Sequence, residues 1–178
     1  MYFLRNVQMK PHIFALFALF VSVSASAAYV DGTAGYLQDS EDMMYSGRLG
    51  TEMFTSGVLS HNAEIEVGFI DESEGVVDVS VIPLMANYRL ESPIVGDFFF
   101  SGGAGAGVAS IDVEFPGIDE NKTTFVMQVF AGVGYTLSPE LQLMLSARYF
   151  WVDDITIRNN RVEVGDDVAV EAGARFRF

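Results

Sequence analysis

The sequence contains no cysteine, which excludes a disulfide framework, a thiolate metal site and a cysteine nucleophile. Histidine occurs twice, too rarely for a zinc-type cluster. Basic residues are scarce, with 10 Lys and Arg against 24 Asp and Glu and a net charge of -14. Phosphate contact needs clustered Lys and Arg, so a nucleic-acid partner is excluded. Long apolar runs are missing too. The best of them, Ile13 to Val23, holds roughly a dozen residues and is too short to span a bilayer as a helix. No later segment has a convincing helical period.

What remains is a chain of 178 residues, half of them apolar. Its length suits one domain, or one domain plus a leader. High apolar content beside high net charge requires the two kinds of residue to be sharply segregated.

The leader is expected at 1–27. Arg5 and Lys10 precede the apolar run, and Ser24, Ala25, Ser26, Ala27 and Ala28 follow it, the layout of a secretory signal peptide. Cleavage after Ala27 fits the small-x-small rule, leaving 28–178 as the mature domain, and cleavage after Ala28 fits nearly as well. Met9 followed by Lys10 makes a more typical start than Met1.

The last stretch, Asp167 to Phe178, alternates strictly. Val168, Val170, Ala172, Ala174, Phe176 and Phe178 fall on one face, and Ala169, Glu171, Gly173, Arg175 and Arg177 on the other. This is a β-strand. Three ionic side chains on one short strand cannot line the oily core of a soluble barrel. The inverse arrangement, apolar residues toward lipid and polar ones toward a lumen, is that of a membrane-spanning β-barrel.

Seven earlier segments alternate in the same way: about 29–37, 44–55, 61–70, 79–90, 97–110, 123–137 and 141–152. The expected fold is all-β, an eight-stranded antiparallel up-and-down transmembrane barrel. Eight is an even number, and each segment is near the 9–11 residues that cross a bilayer when tilted. Connections after the second, fourth and sixth segments (56–60, 91–96 and 138–140) are short; the others are longer and more charged, as outer loops are. With odd segments running outward, Tyr36, Tyr45, Phe69, Phe125, Tyr149 and Trp151 form one aromatic girdle, and Tyr88, Phe98, Tyr135, Phe176 and Phe178 the other. Pro83, inside the fourth segment, lacks an N–H, so a bulge or an unpaired neighbouring carbonyl is expected there.

On this register Asp31, Glu52, Glu64, Glu66 and Glu171 face inward with Arg48, Arg89, Arg148, Arg175 and Arg177. A one-residue slip would move them into lipid, at about 2–4 kcal/mol for each Arg near the midplane. The expected role is a structural salt-bridge network, because an eight-stranded barrel is only wide enough for its own side chains; a selectivity filter or proton path is the other reading. Gly103, Gly105 and Gly107 do not follow phosphate-loop spacing. They are expected to face Gly132 and Gly134 and make room for Phe99, Phe130 and the arginines. His61 lies at the inner start of the third segment, an interfacial position. Acidic residues crowd the outer loops: Asp39, Glu41 and Asp42; Asp71, Glu72, Glu74 and Asp78; Asp112, Glu114, Asp119 and Glu120; Asp153, Asp154, Glu163, Asp166 and Asp167. None has the spacing of a calcium loop, and solvated acidic loops are the expected reading.

The closing residues Glu171, Gly173, Phe176 and Phe178 resemble the C-terminal assembly signal of bacterial outer-membrane barrels, which implies recognition by the barrel insertion machinery. The mature chain as a whole resembles the OmpA-like and OmpX-like eight-stranded barrels. Gly103-Ala104-Gly105-Ala106-Gly107, Pro83-Leu84-Met85-Ala86-Asn87-Tyr88 and Arg175-Phe176-Arg177-Phe178 carry the likeness. It implies a bacterial outer-membrane address among lipid and lipopolysaccharide. The wall-binding domain of full-length OmpA is not expected. Enzymatic barrels of this size use a His with Ser and an acid at the outer rim, and His61 is at the wrong end. The expected function is therefore a non-enzymatic scaffold for acidic surface loops, serving envelope integrity, adhesion or contact with an extracellular ligand, without cofactor, metal or catalytic residue. A narrow channel for small solutes is the alternative.

Overall fold

The computed structural model describes residues 28–74, 77–115, 118–153, 155–157, 160–162 and 166–178. The expected leader at 1–27 lies outside the described residues.

Eight long strands close a barrel: β1 (Ala28–Leu37), β2 (Met43–Ser56), β3 (Leu59–Glu74), β4 (Val77–Val95), β5 (Phe98–Phe115), β6 (Ile118–Thr136), β7 (Leu141–Val152) and β10 (Asp166–Arg177). Each is antiparallel to its neighbours, in the order β1-β10-β7-β6-β5-β4-β3-β2. A two-stranded piece, β8 (Ile155–Ile157) with β9 (Asn160–Val162), lies between β7 and β10. Chain order equals spatial order, so this is the expected up-and-down barrel.

Polarity is inverted throughout. Along β1 the side chains alternate between exposed and buried, with Val30 out and Asp31 in. On β7 and β10, Leu143, Leu145 and Val170 are exposed, while Arg148, Glu171 and Arg175 are at most 1% exposed. The expected girdle aromatics Tyr36, Tyr45, Phe69, Phe125 and Tyr149 at one end, and Tyr88, Phe98, Tyr135, Phe176 and Phe178 at the other, all face outward.

The strands depart from the alternation reading in three ways. First, β3 to β6 are longer, because pairing continues past the outer girdle through Glu74↔Val77, Asp78↔Glu114 and Phe115↔Ile118. The flanking strands stop earlier, at Met44↔Ile70 and Val126↔Val152. A four-stranded sheet therefore projects beyond the barrel. From Phe125 to Ile118 it runs on the order of 20 Å along β6, at the rise of an extended strand.

Second, Pro83 makes no bulge. The β3–β4 register is the same on either side of it, from Val67↔Leu84 to Ile70↔Val81, but the ladder lapses between these pairs. The buried proline ring occupies space that Gly68 leaves, since a Cβ on Gly68 would lie 2.8 Å from Pro83 Cγ. Register shifts occur instead at the inner rim, between Glu52 and Phe54 and between Pro93 and Val95. Third, β4 continues to Val95, so Glu91 lies on a strand and not in a turn.

Glycines make the lumen possible. A Cβ at Gly134 would meet the Phe99 ring at 2.1 Å, one at Gly103 the Phe130 ring at 2.7 Å, and one at Gly50 the Tyr29 ring at 2.4 Å. The pairing differs from expectation by position: Gly132 and Gly134 pair with Ser101 and Phe99, and Gly103 pairs with Phe130 itself. Each large ring lies over a glycine on the adjacent strand.

Candidate functional site in the barrel lumen

Inward-facing side chains form two layers. The inner and middle part is ionic. Arg48 contacts Asp31 at 3.4 Å, Glu66 at 3.1 Å and Glu171 at 3.2 Å. Across the lumen, Arg148 contacts Glu66 at 2.7 Å and Glu171 at 2.9 Å. Arg175 joins Asp31 at 3.1 Å, Glu64 at 3.5 Å and Glu91. Arg89 is held by Glu64 at 2.7 Å, and Arg177 by Glu91 at 2.9 Å.

Neutral groups use the remaining lone pairs. Asn87 and Gln128 donate to Glu66 at 2.7 and 2.8 Å. Tyr29 donates to Glu64 at 2.7 Å, and its ring lies 3.9 Å beneath the Arg175 guanidinium. Arg89 stands over the Phe130 ring at 4.7 Å. Arginine suits this work because its planar fork binds several carboxylates at once.

Five acids, Asp31, Glu64, Glu66, Glu91 and Glu171, thus face five arginines, Arg48, Arg89, Arg148, Arg175 and Arg177. Compared with the sequence-based set, Glu91 stands where Glu52 was expected. Glu52 keeps the register of Arg48, pairing with Asn62, but lies at the inner rim, where it accepts from Thr55 and Ser60, each at 2.7 Å. Glu91 was missed because Pro93 and Gly96 nearby read as a turn. Its position two residues beyond inward-facing Arg89 was the available signal.

The second layer, toward the outer end, is apolar. Leu37, Met44, Ile70, Val81, Met85, Ala109, Ile111, Val126, Phe150, Val152 and Ala169 pack together as a buried cluster. Arg148 Nη1 lies 4.0 Å from Met44 Sδ, where the two layers meet. Sequence reasoning expected a polar lumen and missed this layer. The signal was adjacent apolar residues at the outer strand ends, as in Tyr36-Leu37, Phe69-Ile70, Phe125-Val126 and Phe150-Trp151-Val152: both faces are apolar there, and alternation fails.

Of the remaining candidates, Glu171 and Gly173 of the C-terminal signal sit inside the wall. A Cβ at Gly173 would meet Thr33 Cγ2 at 2.5 Å. Phe176 and Phe178 stack outside with ring centroids 6.5 Å apart. His61 stacks on Phe54 at 4.2 Å and shares a hydrogen bond with the Tyr88 hydroxyl at 2.5 Å, at the inner interface. At the outer rim the Asp167 carboxylate accepts the N–H groups of Gln38, Asp39 and Ser40 at 3.0, 3.0 and 3.1 Å, and Tyr149 donates to Asp166. Among the described residues, no group of three or more His, Asp or Glu is placed to hold a metal ion. The side chains of Asp71, Glu72, Glu74, Asp78, Glu114, Asp119, Glu120, Asp154 and Glu163 lie outside the described residues.

A closed, inside-out eight-stranded barrel with an ionic lumen restricts the choice of family, and the comparison with family models decides it: residues 13–178 match the outer membrane protein beta-barrel domain. The chain belongs to that family. As a member, it is a protein of the bacterial outer membrane. Among solved structures it resembles the Neisserial surface protein A, at 17% identity and a TM-score of 0.65 over 85% of this chain and 96% of that one. OprH from P. aeruginosa shares 17% identity at a TM-score of 0.59, covering 86% and 100%. Ail, the attachment invasion locus protein of Yersinia pestis, shares 14% identity at 0.57, covering 85% and 97%. At these identities the likeness is one of fold. No curated protein sequence matches the chain.

Proposed function

We propose that this outer-membrane barrel is a closed, non-enzymatic scaffold that presents its outer sheet and acidic rim for envelope integrity, adhesion or contact with an extracellular ligand. The observation that carries this reading is the filled lumen. A hydrated ion travelling from the inner end meets the arginine–carboxylate cluster and then the apolar layer around Met44 and Phe150. That layer is lined mainly by apolar side chains, so the desolvation of a charged solute passing it is poorly compensated.

The outer face supports the second half of the proposal. Asp39, Glu41, Asp153 and Asp166 are exposed there, around the base of a sheet that stands clear of the barrel. The Ail structure is described as a complex with the heparin analogue sucrose octasulfate. An acidic rim repels sulfate, so that ligand class is not carried over; a cationic or neutral partner fits the field. We further propose that 1–27 directs export, and that Glu171, Gly173, Phe176 and Phe178 present the nascent barrel to the insertion machinery among lipid and lipopolysaccharide.

The test is conductance of the purified, refolded barrel in planar bilayers. The scaffold reading predicts a bare-membrane baseline. A steady unitary conductance overturns it in favour of a narrow channel for small solutes.

A further inference from the structure

The sheet that projects past the outer girdle has two open edges among the described residues. On one side β3 has no partner from Asp71 to Glu74, because β2 leaves it at Met44↔Ile70. On the other side β6 pairs with β5 as far as Ile118, but with β7 only from Val126 onward. A single bond continues that second ladder, from the Asp153 N–H to the Phe125 carbonyl at 3.0 Å. Successive residues of an antiparallel strand turn their N–H and C=O groups to opposite neighbours, and Phe125 turns its carbonyl to the β7 side. Thr123, Asn121 and Asp119 share its parity, so their backbone groups point to the vacant side. The β8–β9 hairpin does not fill the place, since it forms a sheet of its own.

We propose that the β6 edge from Asp119 to Thr123 takes up an extended segment of a cationic polypeptide, which joins the sheet as a further strand. The proposal deepens the scaffold reading and rests on it for the outward placement of the sheet. An unpaired ladder is a template for another chain, whose main-chain hydrogen bonds form whatever its side chains are. The vacancy on β6 is about as long as a usual strand, and the one on β3 is shorter. Charge selects the occupant. Asp71, Glu72 and Glu74 lie on β3 and Asp119 and Glu120 on β6, while Lys122 is the one base on these four strands past Phe69 and Phe125. Like charges facing each other across a strand pair destabilise it, so a second copy of this acidic edge is repelled. Lys and Arg opposite Asp119 and Glu120 are attracted.

The test uses the full chain refolded in neutral micelles and titrated with a capped peptide of Lys, Thr and Val. Amide exchange, followed residue by residue, should slow at Asp119, Asn121 and Thr123 and stay unchanged from Asp71 to Glu74. Thr123→Pro removes one donor from the vacant side, a change that an edge strand tolerates, and should weaken binding by about threefold to tenfold. The variant is first checked for the heat-dependent gel mobility of a folded barrel. Two further peptides need no variant. One is methylated at alternate amides, which keeps its charge but blocks the ladder; the other carries Glu in place of Lys. Neither should bind.

Unchanged exchange at Asp119, Asn121 and Thr123, slowing from Asp71 to Glu74 instead, or equal binding by the methylated peptide overturns the proposal. Equal binding by the Glu peptide overturns the choice of a cationic partner. Slow exchange at these positions before peptide is added also overturns it: the edge is then covered by the chain itself or, if the protection grows with protein concentration, by a second copy. A unitary conductance from a barrel whose β6 edge still takes the peptide would sink the closed scaffold alone.

Discussion

Glu66 is the side chain on which the lumen is most dependent. It is wholly buried and is met by Arg148 at 2.7 Å, Arg48 at 3.1 Å, Asn87 at 2.7 Å and Gln128 at 2.8 Å. Glu66→Ala leaves four acids against five arginines, of which Arg48, Arg89, Arg148 and Arg175 are buried. Glu171 still reaches Arg48 and Arg148, but one positive charge is uncompensated and two amides lose an acceptor. Removing one partner of a buried ion pair costs about 3–5 kcal/mol, or two to three and a half powers of ten in the folded-to-unfolded ratio. Urea unfolding of the refolded barrel, followed through Trp151, measures this directly. Replacing Glu66 and Arg148 together by Met removes both charges, so the double change should cost less than the sum of the two single ones, by a coupling on the order of 1–3 kcal/mol. If Glu66→Ala changes stability by under about 1 kcal/mol, the charges are screened by water and the dry lumen is refuted.

Other consequences follow from single positions. Gly134→Val drives methyl groups into the Phe99 ring, 2.1 Å from the added Cβ, and should destabilise by about 1–3 kcal/mol. Gly47→Ala, where nothing lies within 4 Å, should be neutral or stabilising by up to about 1 kcal/mol. Asp167→Ala frees three N–H groups at 38–40; amide exchange there should accelerate while β4 to β6 stay protected, and uniform acceleration would place Asp167 in the global fold. Phe178→Ala should reduce the amount of folded barrel assembled in cells while leaving the unfolding midpoint of refolded protein nearly unchanged, since Phe178 is exposed. A large fall in that midpoint would make the residue a stability element and not an assembly signal.

The barrel was legible because lipid inverts the rule that soluble proteins follow. Eight segments with an apolar, lipid-suited face opposite one of charged, polar or glycine residues admit few alternatives, and β7 was delimited to the residue. Length was less legible. Past the outer girdle, Asp71-Glu72-Ser73-Glu74 on β3 and Asp119-Glu120-Asn121-Lys122 on β6 are polar without alternation, although the hydrogen-bond ladder continues.

Within the lumen, Arg48, Arg89, Arg148 and Arg175 could be placed from parity alone, because each is expensive anywhere else. Glu52 and Glu91 were harder to tell apart: both keep the parity of their strands, Glu52 opposite Asn62 and Glu91 opposite Ser60 and Ser101, and what separates them is depth, since Glu52 stays at the rim while Glu91 reaches Arg175 and Arg177. The apolar layer escaped for a different reason: Met44, Phe150 and Val152 face neither lipid nor water, a third environment that a two-state pattern does not contain.

The most direct measurement uses what the chain lacks. With no native cysteine, single Cys substitutions at Val129, Leu143 and Val170 give unique nitroxide labels on the barrel wall. In reconstituted bilayers these labels should relax readily with dissolved oxygen, which concentrates in hydrocarbon, and barely with a water-soluble nickel chelate. Labels accessible to the chelate, or shielded from both reagents, would mean that these side chains face water or a shared core, and the inside-out barrel would be wrong.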